Sequence, residues 1–232
     1  MCTMEVHKFY NIIKYKDTIE NKMNDYIFPF NTCETPKEKG IAQPYSAGFN
    51  IITCIVIFYF LVKTKSIPSF LLLFSILIFE AFHVFSHMIH LDGPLQINIT
   101  HSLSYVMNIF FFNVFYYYTN VFPSSIFILY MFGLIILDIY AFSNYSFVYY
   151  LTTQSIFFIS LLFYYYPLLP KFIQNSICWI FGIVSVIICL FLNESYNCKT
   201  MMSIYPHFPY HILIEITGLA LFYTICSNFY KL

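Results

Sequence analysis

The sequence predicts an all-α integral membrane protein whose helices form a seven-transmembrane bundle. Two observations carry this prediction. The first is composition: 59% of the 232 residues are hydrophobic and only 9% are charged, whereas soluble domains are about one quarter charged. The second is the order of the apolar residues, which form long runs separated by prolines and short polar segments. Water could not keep such a chain dispersed, so we expect it to reside in a membrane.

Each apolar run is long enough to cross a bilayer core of about 30 Å, which needs roughly 20 residues per helix. The seven runs lie near 47–63, 68–90, 100–118, 123–142, 146–166, 171–192 and 209–229. Their boundaries are set by Pro68, Pro123, Pro167, Pro170 and Pro209 and by the polar segments KTKS, LDGPLQIN and NESYNCKT. We therefore expect a polar N-terminal segment over residues 1–45 and one membrane domain over residues 46–232.

The charged residues limit the expected classes of binding partner and favour one orientation of the chain in the membrane. The formal net charge is zero and every basic residue is Lys, so nucleic acid is not an expected partner. The expected partners are a lipid substrate and the surrounding bilayer. Lysines beside the spans, and sequons at Asn98, Asn144 and Asn193, favour a lumenal or external N-terminus. For a eukaryotic chain we expect a multi-pass protein of the endoplasmic reticulum or Golgi.

Histidines of three predicted spans converge on one membrane face. Ionisable groups are costly within a bilayer and usually face the bundle interior. His90 ends the second span, His101 begins the third, and His207 and His211 begin the seventh. In a bundle that alternates direction, these helix ends and the N-terminal segment lie on the same face. Asp138, in the middle of the fourth span, has no evident mate.

The histidine spacing favours a metal site. His207 and His211 are four residues apart and share one face of a helix, and Pro209 fits a first helical turn. His90 would supply a third nitrogen, and three His plus one water form the open zinc site of hydrolases. Ser86, one turn before His90, leans toward the same space.

Three further polar residues of the second span belong to the same stripe. Glu80, His83 and His87 recur with His90 at spacings of three, four and three. We expect them to line the site and to orient its ligands or its water. A hydrogen-bonded packing role is the alternative for each intramembrane histidine.

These motifs resemble the CREST superfamily of seven-transmembrane zinc hydrolases and receptors, and most closely its alkaline ceramidases. Ser86–His90 (SHMIH) is similar to the SxxxH motif of that group, and His207–His211 (HFPYH) to its HxxxH motif. Thr32–Asn50 (TCETPKEKGIAQPYSAGFN) resembles the segment that leads into the first helix of the ceramidases. In that family a Cys of this segment can pair with a Cys before the seventh helix, which implies a disulfide between Cys33 and Cys198.

The chain departs from the ceramidase pattern in two respects. His101 stands where the superfamily usually has an Asp. The acidic N-terminal residues that bind calcium in alkaline ceramidases are mostly absent, since Asn31 and Thr32 precede Cys33. Within the segment before the first helix, Gln43 stands where the ceramidases carry Glu. Zinc is therefore the expected cofactor, and calcium is not expected.

The resemblance implies a membrane-embedded, zinc-dependent lipid amide hydrolase acting on ceramide or a related lipid. Zinc held by His90, His207 and His211 would activate water for attack on the amide carbonyl. Ser86 would hydrogen-bond the water or the developing oxyanion. His101 would accept the water proton, or it would be a fourth ligand that closes the site.

Three other function classes stay open. A lipid-binding or receptor-type protein would hold a structural zinc without turnover. A di-iron lipid hydroxylase would use clustered His, although this chain has fewer than the usual eight or so near the bilayer and lacks HxxHH pairs. A proton-coupled transporter would use Glu80, Asp138 and the histidines as a relay.

Overall fold

The computed structural model describes residues 33–34, 39–89, 94–143, 147–204 and 209–232. All the regular secondary structure of these residues is helical, which confirms the predicted all-α class. The helices are α1 (Pro44–Leu61), α2 (Ile67–Ile89), α3 (Pro94–Thr119), α4 (Ser125–Ser143), α5 (Phe147–Tyr165), α6 (Lys171–Ile204) and α7 (Ile212–Phe229). One turn of 3-10 helix, Tyr166–Leu168, follows α5.

Two helices extend beyond the runs predicted from the sequence. The third was expected to begin near residue 100, but α3 begins at Pro94, where the fixed φ of proline suits a first helical turn. The sixth was expected to end near residue 192, but α6 continues to Ile204. The polar residues that end the apolar run contain neither Gly nor Pro, so they end the membrane-like composition without ending the helix.

Four helices of the described residues are long and apolar enough to cross a membrane. They are α1, α2, the first 24 residues of α6 (Lys171–Glu194), and α7. Shorter apolar stretches lie in α4 (Ser125–Tyr140) and after the first turns of α5 (Ile156–Leu168). By length and composition the chain is therefore consistent with a membrane protein, with four candidate spans.

The helices pack around an apolar core. The helix α1 contacts α2 and α7, α2 contacts α3, α6 contacts α7, and α4 contacts α5. Fully buried core side chains include Ile57, Leu72, Phe115, Tyr165 and Phe229. Lipid tails are as apolar as these side chains, so close packing and interhelical hydrogen bonds, rather than removal of apolar surface from water, hold such helices together.

Buried polar side chains gather at the opposite end of the same helices. The start of α1, the end of α2 and the start of α7 contribute them, and the apolar core occupies the other halves of these helices. The set comprises Gln43, Ser46, Asn50, Glu80, Ser86, His87, His211 and Glu215. A buried polar group needs a partner, so this end of the bundle is where hydrogen bonds decide the helix positions.

The residues before α1 are fastened to this polar end. Cys33 forms a disulfide with Cys198 of α6, with their Cα atoms 5.6 Å apart. The backbone N–H groups of Ala42 and Gln43 donate to the carbonyl oxygens of Met88 and His87, at 3.0 and 3.1 Å. These bonds satisfy carbonyls at the end of α2 that have no partner within their own helix.

The disulfide predicts a defined difference in thiol count. Protein denatured without reductant should react with two fewer equivalents of a polyethylene-glycol maleimide than protein denatured after reduction, because Cys33 and Cys198 are bonded to each other. A gel resolves the number of additions. The Cys33→Ser/Cys198→Ser variant should show the same count with and without reductant. A full count from unreduced wild-type protein would contradict the pairing.

Candidate metal centre

Two histidines of α2 lie side by side at the polar end of the bundle. His83 and His87 are four residues apart, so their side chains project from the same face of the helix. Their ring centroids are 4.7 Å apart, and their Nε2 atoms approach to 3.1 Å. His87 is completely buried, whereas the His83 side chain is about one quarter exposed, at 26%.

A carboxylate of α7 faces this histidine pair. Glu215 Oε1 lies 3.2 Å from His87 Nε2 and 3.8 Å from His83 Nε2. All three atoms lie within 4.8 Å of one another, and this group could hold a metal ion. His211, one turn before Glu215, brings a further nitrogen, with Nε2 2.9 Å from Glu215 Oε1.

The separations match the dimensions of a metal site. Ligands placed tetrahedrally at about 2.0–2.2 Å from zinc lie about 3.3–3.6 Å from one another. The observed separations among the three atoms are 3.1, 3.2 and 3.8 Å. Small side-chain adjustments would therefore place His83, His87 and Glu215 at ligand distance from one ion.

The outer nitrogen of His87 fixes which of its ring atoms faces the cluster. His87 Nδ1 lies 2.7 Å from Gln43 Oε1, and Gln43 Nε2 donates to the carbonyl oxygen of Glu34 at 3.0 Å. An amide oxygen can only accept, so His87 Nδ1 carries a proton. In the neutral imidazole, Nε2 then presents a lone pair to Glu215, as metal ligation requires.

His211 has the same arrangement with a carboxylate. Its Nδ1 donates to Glu194 Oε2 at 2.8 Å, and the other oxygen of Glu194 accepts from the backbone N–H of Cys33 at 2.7 Å. A carboxylate behind a histidine is a recurrent feature of metal centres, where it orients the ring and makes it a stronger base. Glu194 and His211 are both buried.

His83 admits two proton positions. Its Nδ1 lies 3.3 Å from the side-chain amide nitrogen of Asn50 and 3.6 Å from Glu80 Oε2. A proton on Nε2 would be donated to His87 Nε2. A proton on Nδ1 would face Glu80, and with the Asn50 amide reversed it would be donated to that amide oxygen. The second arrangement frees the His83 Nε2 lone pair for a metal.

The Glu215 carboxylate supplies the strongest electrostatic argument for a cation. Glu215 is 4% exposed, and its Oε1 makes no hydrogen bond of acceptable geometry within the described residues. An isolated buried carboxylate is very unfavourable in an apolar medium. The imidazole nitrogens around it can balance its charge only by taking up a proton or by sharing a metal ion with it.

The predicted site residues do not all lie at the observed cluster. Of the predicted ligands, only His211 falls in the described part of the chain, because His90 and His207 lie outside it. His83 and His87, predicted to line the site, lie in the candidate ligand group itself, and Glu80 lies beside His83. Ser86 is buried and donates to the carbonyl oxygen of Phe82 at 2.9 Å.

Glu215, Glu194 and Gln43 acquire roles that the sequence did not assign to them. The signal for Glu215 is present, because it follows His211 by four residues and so shares its helix face. Glu194 and Gln43 give no such signal. Their partners are 17 and 44 residues away along the chain, so only the fold brings them to the histidines.

His101 belongs to a second polar cluster, between α3, α4 and α5. Its Nε2 lies 2.6 Å from Asp138 Oδ2, so Asp138 does have a mate. The same carboxylate accepts hydrogen bonds from Tyr105 and Gln154, at 2.5 and 2.9 Å, and from Thr153. Four donors satisfy one buried carboxylate and join three helices.

Comparison of the chain with protein-family models, curated proteins and solved structures gave no match.

The second cluster predicts a stability effect. Asp138→Ala should lower the free energy of unfolding by about 2–5 kcal/mol, because four donors, one of them on the buried His101, lose the buried carboxylate that they share. Thermal unfolding in detergent measures the effect. The control is Ser185→Ala, which removes an exposed hydroxyl bonded only within α6. Equal melting of the two variants would show that the cluster does not hold the helices together.

Proposed function

We propose that this protein is a membrane-embedded, zinc-dependent lipid amide hydrolase that acts on ceramide or a related lipid. The observation that carries the proposal is the convergence of His83 Nε2, His87 Nε2 and Glu215 Oε1 at ligand separations. The resemblance of the SxxxH, HxxxH and pre-helical motifs to ceramidases supplies the substrate class.

Zinc suits this set of donors better than other common ions. Two imidazoles and one carboxylate form one of the recurrent sets of catalytic zinc, in which water completes the tetrahedron. Magnesium and calcium prefer oxygen ligands throughout. When bound, zinc would lower the pKa of a coordinated water toward about 7 and would polarise a carbonyl oxygen.

The chain's own residues would bind the ion, orient the ligand rings and move protons. Gln43 and Glu194 hold the rings of His87 and His211 with Nε2 toward Glu215. The hydroxyl of Ser86 can accept a hydrogen bond while its proton is used within α2. His101 Nε2 is bound to Asp138 in the second cluster, so the role proposed for His101 from the motifs, accepting the water proton, would fall to its Nδ1.

The ligand set inferred from the motifs is a second form of the same proposal. It consists of His90, His207 and His211, and it shares His211 with the cluster described above. The two forms of the proposal are distinguished by variants that remove ligands of one set and keep those of the other.

We further propose that all seven helices cross the membrane and that the polar end is lumenal or external. Bulky apolar side chains of α4 are strongly exposed, with Ile126 at 82% and Leu129 at 72%, which favours contact with lipid. The Cys33–Cys198 disulfide at the polar end favours an oxidising compartment on that side.

An apolar groove beside the metal cluster supports a lipid substrate. It runs between α1 and α2 and is lined by Ile51, Cys54, Ile55, Phe58, Leu77, Ala81 and Val84. Asn50, Glu80 and His83 are the sequence neighbours of groove residues and lie at the cluster. An acyl chain in the groove would therefore bring the attached polar group close to the ligands.

A receptor-type protein with a structural zinc is the second candidate. The observation that favours it is the 2.9 Å separation between His211 Nε2 and Glu215 Oε1. If His211 joined the other ligands, four protein atoms would surround the ion and would leave no position for water. Zinc without lipid turnover would identify this function.

Metal content tests the site. Wild-type protein purified in mild detergent without chelators should contain about one zinc per chain, measured by mass spectrometry. His87→Ala and Glu215→Ala should lose it, because each removes one of three converging ligand atoms.

Two matched variants complete this test. His101→Gln replaces a histidine of the other polar cluster and should retain zinc, and loss there would make His101 a ligand. His90→Ala/His207→Ala should retain zinc if the described cluster is the site and lose it if the motif set is. Zinc-free wild-type protein would falsify both the hydrolase and the structural-zinc proposal.

Filling the groove should separate substrate binding from metal binding. Ala81→Phe should keep its zinc but hydrolyse a fluorescent long-chain ceramide about ten-fold more slowly, because the acyl chain is displaced from the position that aligns the amide. Release of the sphingoid base, followed by chromatography, measures turnover. Ala220→Phe, the same change at an exposed position of α7, should retain activity. Equal rates in the two variants would rule the groove out.

A further inference from the structure

Two short pieces of chain before α1 lie directly behind the candidate metal centre. They are Cys33–Glu34 and Ala42–Gln43, and together they are called here the N-terminal strap. Cys33, Glu34 and Gln43 are 3%, 4% and 1% exposed. The Glu34 carboxylate accepts from the backbone N–H groups of Tyr45 and Ser46 at 2.9 and 3.0 Å. The strap is therefore anchored at the positive N-terminus of α1.

One branch of the strap holds His87 at two points. The backbone N–H of Gln43 donates to the His87 carbonyl oxygen at 3.1 Å, and Gln43 Oε1 accepts from His87 Nδ1 at 2.7 Å. Gln43 Nε2 is in turn bound by the carbonyl oxygen of Glu34. Only one orientation of the Gln43 amide satisfies both neighbours, so the ring of His87 is fixed with Nε2 toward Glu215.

The other branch reaches His211 through α6. The backbone N–H of Cys33 donates to Glu194 Oε1 at 2.7 Å, and Glu194 Oε2 accepts from His211 Nδ1 at 2.8 Å. Cys198, one turn after Glu194, is bonded to Cys33. The disulfide thus keeps the Cys33 N–H at the carboxylate that orients His211.

We propose that the N-terminal strap sets the orientation of both His87 and His211, with Gln43 and Glu194 as the positioning residues through which it acts. The inference rests on the proposed function, because its purpose is to organise a metal centre. The two histidines belong to α2 and α7, and Cys33 and Glu34 are adjacent residues. One dipeptide therefore determines how two imidazoles from separate helices face the same carboxylate.

The physical effect is preorganisation of the ligands. An imidazole with a fixed outer hydrogen bond presents one defined nitrogen, whereas an unrestrained ring exchanges tautomers and turns about its side-chain bonds. Loss of an outer partner typically weakens metal binding about 10- to 100-fold. We expect that range for Gln43→Leu, because its partner His87 belongs to the proposed ligand set. We expect it for Glu194→Leu and Cys33→Ser/Cys198→Ser in the forms of the proposal in which His211 is a ligand.

Zinc affinity and ring state are the two readouts. Zinc is titrated into metal-stripped protein against a chromophoric chelator, and the ring nitrogens are followed by NMR of protein labelled with ¹⁵N-histidine, without added metal. In Gln43→Leu the His87 signal should lose its Nδ1–H signature and the affinity should fall. Gln43→Glu keeps an acceptor for His87 Nδ1 but loses the donor to the Glu34 carbonyl oxygen, so it should restore the Nδ1–H signature and part of the affinity.

Asn197→Ala is the matched control on α6. Asn197 is exposed and lies near Glu194, and its side chain donates to Asn193 of the same helix. The zinc affinity and the histidine ring signals of the Asn197→Ala variant should equal those of the wild type. Thermal unfolding of every variant identifies any that fails to fold, and the Gln43→Glu rescue keeps the test independent of such failures.

The outcomes separate the strap from the proposed function. Wild-type zinc affinity in both Gln43→Leu and Glu194→Leu, with unchanged ring signals, would overturn the role of the strap and leave the hydrolase proposal standing. A wild-type protein that binds no zinc would overturn the proposed function. The NMR comparison still decides on the strap in that case, because the His87 tautomer either changes in Gln43→Leu or does not.

Discussion

The Glu215 carboxylate, facing the Nε2 atoms of two α2 histidines from α7, is the interaction on which the polar end of the structure depends. A buried carboxylate is tolerable only if positive charge or hydrogen-bond donors surround it. Here the surrounding groups are imidazoles, whose nitrogens can donate, accept or ligate. The Nδ1 atom of His87 is bound by Gln43, and the Nδ1 atom of His211 by Glu194. These bonds determine which of the two Nε2 atoms' roles, donor or lone pair, is presented to Glu215.

The two polar clusters solve the same electrostatic problem in different ways. Asp138 receives four donors, which satisfy a carboxylate without any ion. Glu215 faces mainly imidazole Nε2 atoms. Two of these imidazoles, His87 and His211, donate their Nδ1 protons away from it. The first arrangement is what a structural cross-link between helices requires. The second has fewer protons than lone pairs at its centre, which is the condition under which a metal ion is stabilising.

The sequence was sufficient for the features that depend on composition and local pattern. Apolar runs predicted the positions of the helices, because burial and bilayer thickness act on each run separately. Spacings of three and four residues predicted that α2 carries a polar face. The polar residues after the apolar run predict the end of the sixth helix, but they include neither Gly nor Pro, so α6 continues to Ile204.

The site was predicted less completely because its contacts join distant parts of the chain. His83 and His87 were recognised as a stripe but were placed behind other ligands, since nothing in their own spacing indicates that Glu215 faces them. The sequence assigns Gln43 no role beyond standing where the ceramidases carry a Glu, and the polarity around Glu194 predicts a loop. Their hydrogen bonds to histidines arise when α1, α2, α6 and α7 pack together, which periodicity along one helix cannot show.

The length of α6 has a consequence for where a substrate would be met. Its 34 residues span about 51 Å at 1.5 Å per residue, against a hydrocarbon core of about 30 Å. The apolar stretch ends at Glu194, the residue that binds His211. If α6 crosses the bilayer as proposed, the imidazole cluster lies at the depth where hydrocarbon gives way to headgroups. In that case a sphingolipid, whose amide linkage lies at this same level, could reach the cluster by lateral diffusion with its tails still in the bilayer, while water and metal ions arrive from the aqueous side.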